Sequence, residues 1–176
     1  MTDAFEQLKI RSDHSLDELN SRPWVRITSG ILAGAAGSSE IIKAFREQLL
    51  GMDISSTISE VGTTGLCYAE PIVDISIPGS PRVLYGNVSA DLVPELIKKH
   101  IVGKEPVIDL ALASVDSDVP GIPRRENLPM MQKQIRIALR NAGEIDPVQL
   151  DQYVARGGYA GLDKALSNMT SDEVLQ

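Results

Sequence analysis

The chain has 176 residues, of which 43% are apolar and 4% aromatic, and 17 basic against 24 acidic side chains give it a net charge of −7. This length fits one compact domain, alone or with an appendage, whose core must be built mainly from Ile, Val, Leu and Ala. The acidic balance argues against nucleic acid as a partner, because phosphate binding needs clustered positive charge. The single cysteine, Cys67, excludes an internal disulfide framework.

The apolar pattern also bears on the cellular compartment. No apolar run approaches the ~18–20 residues needed to cross a bilayer, which argues against direct membrane insertion. Residues 1–20 lack the basic start and the apolar stretch of a signal peptide. A lone cysteine is typical of a reducing compartment. We therefore expect a cytoplasmic protein, either free or at the periphery of a membrane complex.

Hydrophobic periodicity predicts alternating helices and strands over the first hundred residues. Ile41, Phe45 and Leu49 recur every four residues, as on the buried face of a helix. Val73 and Ile75 alternate with polar residues, as in a strand. The predicted elements are a helix at 1–20, a strand at 24–27, a helix from Ser38 or Ser39 as its cap to Gly51, strands at 52–61, 72–77 and 83–85, and a helix after Ser89.

This order predicts an α/β fold of the thioredoxin-like class, in which a βαβ unit, a β-hairpin and a closing helix form a four-stranded mixed sheet with flanking helices. We assign it to residues 22–102, behind an N-terminal helix at 1–21. Residues 103–129 are rich in proline and are predicted to be a linker with one strand at 107–112. Residues 130–176 are predicted to be helical. Their signals are an apolar stripe at Met131, Ile135, Ala138 and Leu139 and a helix start capped by Asp146.

The loops after the first two strands resemble those of the thioredoxin-like ferredoxins. The stretches that carry the resemblance are GAAGS, VGTTGLCYAEPIVDI and PGSPRVLYGNV. In that family a C-x4-C pair and a C-x3-C pair hold a 2Fe–2S cluster, since each iron needs two thiolates beside two bridging sulfides. Alignment on Gly37 and Gly65 implies that the four ligand positions are Thr28, Ala33, Thr63 and Cys67.

Three of these four positions lack a thiol. A threonine hydroxyl is a hard group that does not ionise near neutral pH, and alanine has no donor atom, so we expect no metal in this chain. We expect Cys67 to be buried and inert; a redox thiol and a cluster shared across a homodimer stay open as alternatives. We also expect three aliphatic side chains to pack into the vacated space: Ile31, Leu32 and Leu66.

A second resemblance lies in QKQIRIALRNAGEIDPVQLDQYVARGGYAGLDKALSNMTSDEVL. This segment is similar to the one that precedes the FMN loop in the NADH-binding flavoprotein subunit of complex I and of NAD-linked hydrogenases and formate dehydrogenases. The matching residues include Asn141, Gly143, Asp146-Pro147, Tyr153 and Gly157-Gly158-Tyr159. The family holds FMN, NAD and a 4Fe–4S cluster through a GRGGAGFPTG loop and later elements, none of which occurs here. We therefore expect no catalytic residue, no cofactor-binding residue and no bound cofactor.

Together, the resemblances imply the N-terminal portion of an NADH:acceptor oxidoreductase flavoprotein subunit that serves docking and assembly. The implied partners are other subunits of a redox complex, especially a small thioredoxin-like subunit. An electron carrier with a non-standard cluster and a free-standing interaction domain stay open, as does the question of whether the chain is an enzyme. Thr170 and Glu173 form a capping box for a helix that in the family leads to the FMN loop, so we expect the front end of a longer flavoprotein.

Overall fold

The computed structural model describes residues 3–175, which its contacts divide into two units. Residues 19–146 form a unit that contains the sheet, and residues 3–18 with 147–175 form a unit whose regular elements are helices. Within residues 3–175, no helix combines the length and the apolar character that crossing a membrane requires.

The sheet has five strands in the order β2-β1-β3-β4-β5. β1 pairs in parallel with β2, whereas the pairs β1–β3, β3–β4 and β4–β5 are antiparallel. The strands are β1 (Trp24–Thr28), β2 (Thr57–Val61), β3 (Val73–Ser76), β4 (Val83–Tyr85) and β5 (Ala111–Ser114). The first four follow the predicted order of a βαβ unit and a hairpin, so the predicted thioredoxin-like α/β fold is confirmed, with a fifth strand added.

The unit that contains the sheet has helices of its own, which flank the sheet. The regular structure of the smaller unit is also helical. Within residues 3–175, 3₁₀ turns lie at Cys67–Ala69, Ala90–Leu92, Ile108–Leu110 and Arg125–Asn127. The helices are α1 (Asp3–Asn20), α2 (Ile31–Ala35), α3 (Ser38–Gly51), α4 (Val93–Leu96, continued by a π-helical turn at Ile97–Val102), α5 (Leu150–Ala155), α6 (Ala160–Asn168) and α7 (Ser171–Leu175).

The main core lies between one face of the sheet and helices α3 and α4. Val25 and Ile75 face it from neighbouring strands, and Phe45 of α3 is fully buried in it. The predicted four-residue spacing on α3 is confirmed, because Ile41, Phe45 and Leu49 are all buried. A smaller apolar cluster contains Leu66, Ala69, Ile72, Leu84, Ala113 and Leu128.

Two predicted starts, those of β2 and α5, and the predicted cap of α3 were wrong. β2 begins at Thr57 and not at Met52, since Asp53 turns the chain with a φ of 53°. Gly37, with a φ of 98°, precedes α3 without any side-chain cap from Ser38 or Ser39. α5 begins at Leu150 and not after Asp146.

The helix predicted around residues 131–142 does not form, and residues 130–149 are turns and irregular backbone. The Arg136 guanidinium donates to the carbonyl oxygens of Leu139 at 2.7 Å and Ala142 at 2.6 Å, which stabilises a turn in place of a helix. The predicted strand at 107–112 is displaced to β5, which pairs with β4. Part of the segment predicted to be a linker therefore belongs to the sheet, whereas the predicted domain boundaries remain predictions.

Candidate functional site

The four predicted ligand positions lie at the ends of β1 and β2 and in the loops that follow. Thr28 is the last residue of β1 and is buried, and Ala33 is the one buried residue of α2. Thr63 follows β2, and Cys67 opens the 3₁₀ turn at Cys67–Ala69. The sheet thus brings both loops to the same edge, because parallel strands end on the same side.

A buried carboxylate connects two of these positions. The Thr28 hydroxyl donates to Oε2 of Glu70, and the Thr63 hydroxyl donates to Oε1 at 2.6 Å. The backbone N–H of Ile72 lies 3.3 Å from the same Oε2 and 2.9 Å from the Thr28 hydroxyl oxygen. Glu70 is only 7% exposed. Sequence reasoning missed this residue, although an acidic side chain in the apolar run before β3 was a signal.

Cys67 is exposed, so the expectation that it is buried was wrong. The 3₁₀ turn directs Leu66 and Ala69 into the protein and leaves Cys67 and Tyr68 outside. A thiol on this surface is accessible to reagents and to a second molecule.

Of the three aliphatic side chains expected to pack into the vacated space, only Leu66 is buried. Leu66 is fully buried, whereas Ile31 is 97% exposed and Leu32 is also exposed. The reason is that α2 is a single short helix that turns only Ala33 inward. A polar contact made by Glu70, and not aliphatic packing, therefore joins the two loops.

The residues at the four positions do not fit a 2Fe–2S cluster held by four thiolates. One thiol is present, and the hydroxyl groups of Thr28 and Thr63 are already engaged with Glu70. Within residues 3–175, no group of three or more His, Cys, Asp and Glu side chains is arranged to hold a metal ion. The arrangement can order the two loops, but its donor atoms are not those of an iron–sulfur site.

A network of buried charges lies on the sheet face opposite the main core. Arg82 donates from Nε to both carboxylate oxygens of Asp74 at 2.9 Å and from Nη1 to Oε2 of Glu144 at 2.8 Å. Arg125 donates to Oε1 of Glu144 at 2.6 Å. Burial would raise the pKa of Glu144, but Arg82 and Arg125 outweigh it and lower this pKa to about 2. The network anchors the turn around Glu144 to β3 and β4.

Arg26 extends this network on β1. Its guanidinium lies 3.7 Å from Oδ1 of Asp74 and donates from Nε to the carbonyl oxygen of Glu144 at 3.2 Å. The same group lies 3.4 Å from the centroid of the Trp24 ring, a cation–π contact. These contacts give a buried arginine several partners, as a buried charge requires.

A second buried polar contact joins β4 to α4. The Tyr85 hydroxyl oxygen accepts the backbone N–H of Val107 at 3.2 Å and forms a hydrogen bond with Nδ1 of His100 at 2.8 Å. Burial lowers the pKa of His100 to about 4, although the Pro81 carbonyl and Asp74 oppose the shift. His100 is therefore neutral at physiological pH.

An apolar surface flanks the loop that carries Thr63. Ile135 and Ile137 are 86% and 80% exposed, and Leu139 is exposed beside them. This segment and residues 63–65 line an open groove of about 350 Å³. Among the residues that the structure describes, the buried Thr64 hydroxyl in this groove has no hydrogen-bond partner. Exposed aliphatic side chains next to a groove are typical of an interaction surface.

Comparisons with curated proteins find redox relatives. NADP-reducing hydrogenase subunit HndB of Solidesulfovibrio fructosivorans is 26% identical over 108 residues, which are 59% of this chain and 86% of that protein. A 2Fe–2S ferredoxin of Clostridium pasteurianum is 40% identical over 72 residues, which are 40% of this chain and 68% of the ferredoxin. None of the protein-family profiles matches the chain.

Two further similarities cover different amounts of the related proteins. NADP-reducing hydrogenase subunit HndC of Solidesulfovibrio fructosivorans is 54% identical over 44 residues, which are 25% of this chain and only 9% of that protein. Among solved structures, a thioredoxin-like [2Fe–2S] ferredoxin from Aquifex aeolicus shares 25% identity with a TM-score of 0.47, covering 58% of this chain and 98% of that one.

Proposed function

This chain belongs to the family of 2Fe–2S ferredoxins, and we propose that it is a cluster-free member that docks the subunits of an NAD(P)H-linked oxidoreductase. The observation that carries the proposal is the Glu70 carboxylate held by Thr28 and Thr63, at two positions where the family resemblance implies thiolates. A domain with one thiol and with both hydroxyls engaged has no conventional route to bind the cluster that carries electrons. Its remaining role is to hold other subunits.

The identity of the complex rests on two relatives. HndB and HndC are both named as subunits of an NADP-reducing hydrogenase, and the chain resembles HndB over most of that protein's length. The short similarity to HndC, 54% identical over 44 residues, supports a link to a second subunit of the same hydrogenase. We infer that its partners are the other subunits of such a cytoplasmic complex, especially a small thioredoxin-like subunit.

The proposed docking surface is the exposed apolar segment around Ile135 and Ile137, with the groove that it shares with residues 63–65. The nearby side chains of Lys133, Arg136 and Arg140 are basic in a chain whose net charge is −7. A partner with an apolar patch and an acidic rim would complement this local charge.

Affinity capture from the native host tests the docking role. The tagged chain should retain a fraction that oxidises NADH or NADPH with ferricyanide as the acceptor, and Ile135→Asp with Ile137→Asp should abolish the retention. Leu50→Asp is the matched control, because Leu50 is 83% exposed on α3. Capture without NAD(P)H-oxidising activity, or equal capture by both variants, would contradict the proposal.

An electron carrier with a non-standard cluster is a second candidate, because Cys67 is exposed and so accessible to the Cys67 of another copy. Reconstitution with iron and sulfide under anaerobic conditions, followed by size-exclusion chromatography, separates the two functions. A dimer that carries stoichiometric iron and sulfide would favour the carrier. A protein without iron would favour docking.

A further inference from the structure

We propose that the Glu70 carboxylate takes over the structural task of the family's cluster and joins the loop after β1 to the loop after β2 without a metal. The two oxygen atoms are divided between the loops. Oε2 accepts from Thr28 at the end of β1, and Oε1 accepts from Thr63 after β2. This inference concerns the folding of the loops and does not depend on the docking role.

The surrounding groups make a buried carboxylate tolerable at this position. A buried charge is costly unless several donors satisfy it, and Glu70 receives both hydroxyls and lies within 3.3 Å of the Ile72 N–H. Each hydroxyl is itself oriented by the backbone, because Thr28 accepts from Ile72 at 2.9 Å and Thr63 accepts from Gly65 at 3.2 Å. The contact therefore connects β1, the start of β3 and the loop after β2 in one hydrogen-bonded unit.

The same carboxylate works against a cluster. Cysteines at positions 28 and 63 would place two thiolates beside the negative charge of Glu70, and a like charge disfavours the ionised form of a thiol. The Glu70 side chain also occupies the space between the two positions. Replacing the missing thiols is therefore not sufficient to restore a cluster, and Glu70 must be removed as well.

A double-mutant cycle tests the structural task. Glu70→Ala and Thr63→Val should each lower the Tm, the former by roughly 5–10 °C, because charge-assisted hydrogen bonds are lost. The two losses should be less than additive in the double variant, since without Glu70 the Thr63 hydroxyl keeps only its bond from the Gly65 N–H. Glu60→Ala and Thr57→Val on β2 are the controls for loss of a surface carboxylate and a strand hydroxyl. An unchanged Tm for Glu70→Ala, or fully additive effects, would overturn the proposal.

A local measurement covers the case in which Glu70→Ala does not fold. Thr63 is exposed, so Thr63→Val keeps the core intact. In this variant the amide hydrogen of Gly65, which the Thr63 hydroxyl accepts, should exchange at least several-fold faster, together with that of Ile72 beside Glu70. The Gly65 amide reports the direct loss of the Thr63 hydroxyl, so an exchange rate at Ile72 equal to that of the wild-type chain would refute a link through Glu70.

Reconstitution tests the exclusion of the cluster. The variant with Thr28→Cys, Ala33→Cys and Thr63→Cys is compared with the same variant carrying Glu70→Ala, using iron and sulfide content and visible absorption. The variant without Glu70 should hold several-fold more cluster. Equal iron content in the two variants, whether high or zero, would contradict the claim that Glu70 keeps the cluster out.

Discussion

Replacing Glu144 by glutamine tests whether the buried charge network stabilises the sheet-bearing unit. Glu144 accepts from Arg82 at 2.8 Å and from Arg125 at 2.6 Å, one guanidinium on each carboxylate oxygen. In Glu144→Gln the amide oxygen can accept from one arginine, but the amide NH₂ group then faces the other arginine. Both of those groups are donors, so they cannot form a hydrogen bond with each other. Both arginines lose a charged partner, while Asp74 still pairs with Arg82.

The expected loss of stability follows from the burial of the ion pair and from the pKa of Glu144. Removing one partner of a buried ion pair typically costs ~3–5 kcal/mol, and the partial exposure of Arg125 favours the lower end. The pKa of Glu144 lies at about 2, against an ordinary value of 4.5. This difference is equivalent to roughly 3 kcal/mol of stabilisation by the ionised form. We therefore expect Glu144→Gln to lower the free energy of unfolding by about 3 kcal/mol at pH 7.

Urea denaturation at pH 7 measures this loss directly. Glu60→Gln is the matched control, because Glu60 pairs with Arg46 at 3.4 Å on the exposed surface. Such a pair contributes ~0–1 kcal/mol. A loss in Glu144→Gln no larger than that in the control would refute the reasoning.

The pH dependence supplies an independent check on the same residue. Since the pKa of Glu144 is lower in the folded than in the unfolded chain, its contribution is complete above about pH 4.5 and is lost as the pH falls toward 2. The wild-type chain should lose stability across this window, and the variant should lose about 3 kcal/mol less. Parallel pH profiles of the two proteins would contradict the assignment.

Three further predictions address other parts of the chain. Because burial lowers the pKa of His100 to about 4, the free energy of unfolding should fall by roughly 3 kcal/mol as the pH drops from 6.5 to 4. Urea denaturation across this range should show that His100→Gln removes this pH dependence, whereas the control His14→Gln, at an exposed histidine, keeps it. Gly143→Ala should lower the free energy of unfolding by more than ~1 kcal/mol, because φ at Gly143 is +79° and the added Cβ would lie 2.4 Å from the Thr64 methyl carbon. Gly51→Ala is the control and should be neutral or stabilising, because the space around Gly51 is open. Urea denaturation of both variants measures the difference. Cys67 should react with a thiol reagent in the native protein as fast as it does in urea, and a strongly protected thiol would contradict its exposure.

The parts of the fold that depend on local patterns could be predicted from the sequence. Ile41, Phe45 and Leu49 recur at helical spacing, and all three are buried on α3. The capping box is also confirmed, because the N–H of Thr170 donates to Glu173 at 2.7 Å and the N–H of Glu173 lies 3.4 Å from the Thr170 hydroxyl. Both signals act within one or two helical turns, so the chain carries them without help from distant residues.

Errors arose where polar contacts or strand pairing, which the apolar pattern does not record, decide the structure. An apolar stripe predicted a helix around Ile135, but Arg136 binds carbonyl oxygens of its own segment and leaves Ile135 exposed. β5 pairs with β4, so the strand predicted at 107–112 lies at 111–114. Tertiary contacts of this kind override local preference.

The candidate site was predicted in part. Positions 28 and 63 came from the family resemblance, aligned on Gly37 and Gly65, and the structure brings both threonines onto one carboxylate. The participation of Glu70 could not be read from spacing, because it lies 42 residues from Thr28 in sequence. An acidic residue before a buried strand predicts such a contact only when the hydrogen-bond donors that face its carboxylate are already known.

The central claim is that the two loops are joined by a carboxylate and hold no cluster. The most direct measurement is the iron and acid-labile sulfide content of the wild-type chain after anaerobic reconstitution, read together with its EPR spectrum after dithionite reduction. We predict a colourless protein with no cluster signal and a Tm that does not change on reconstitution. Two irons and two sulfides in each chain, with the EPR signal of a reduced 2Fe–2S centre and a raised Tm, would contradict the account.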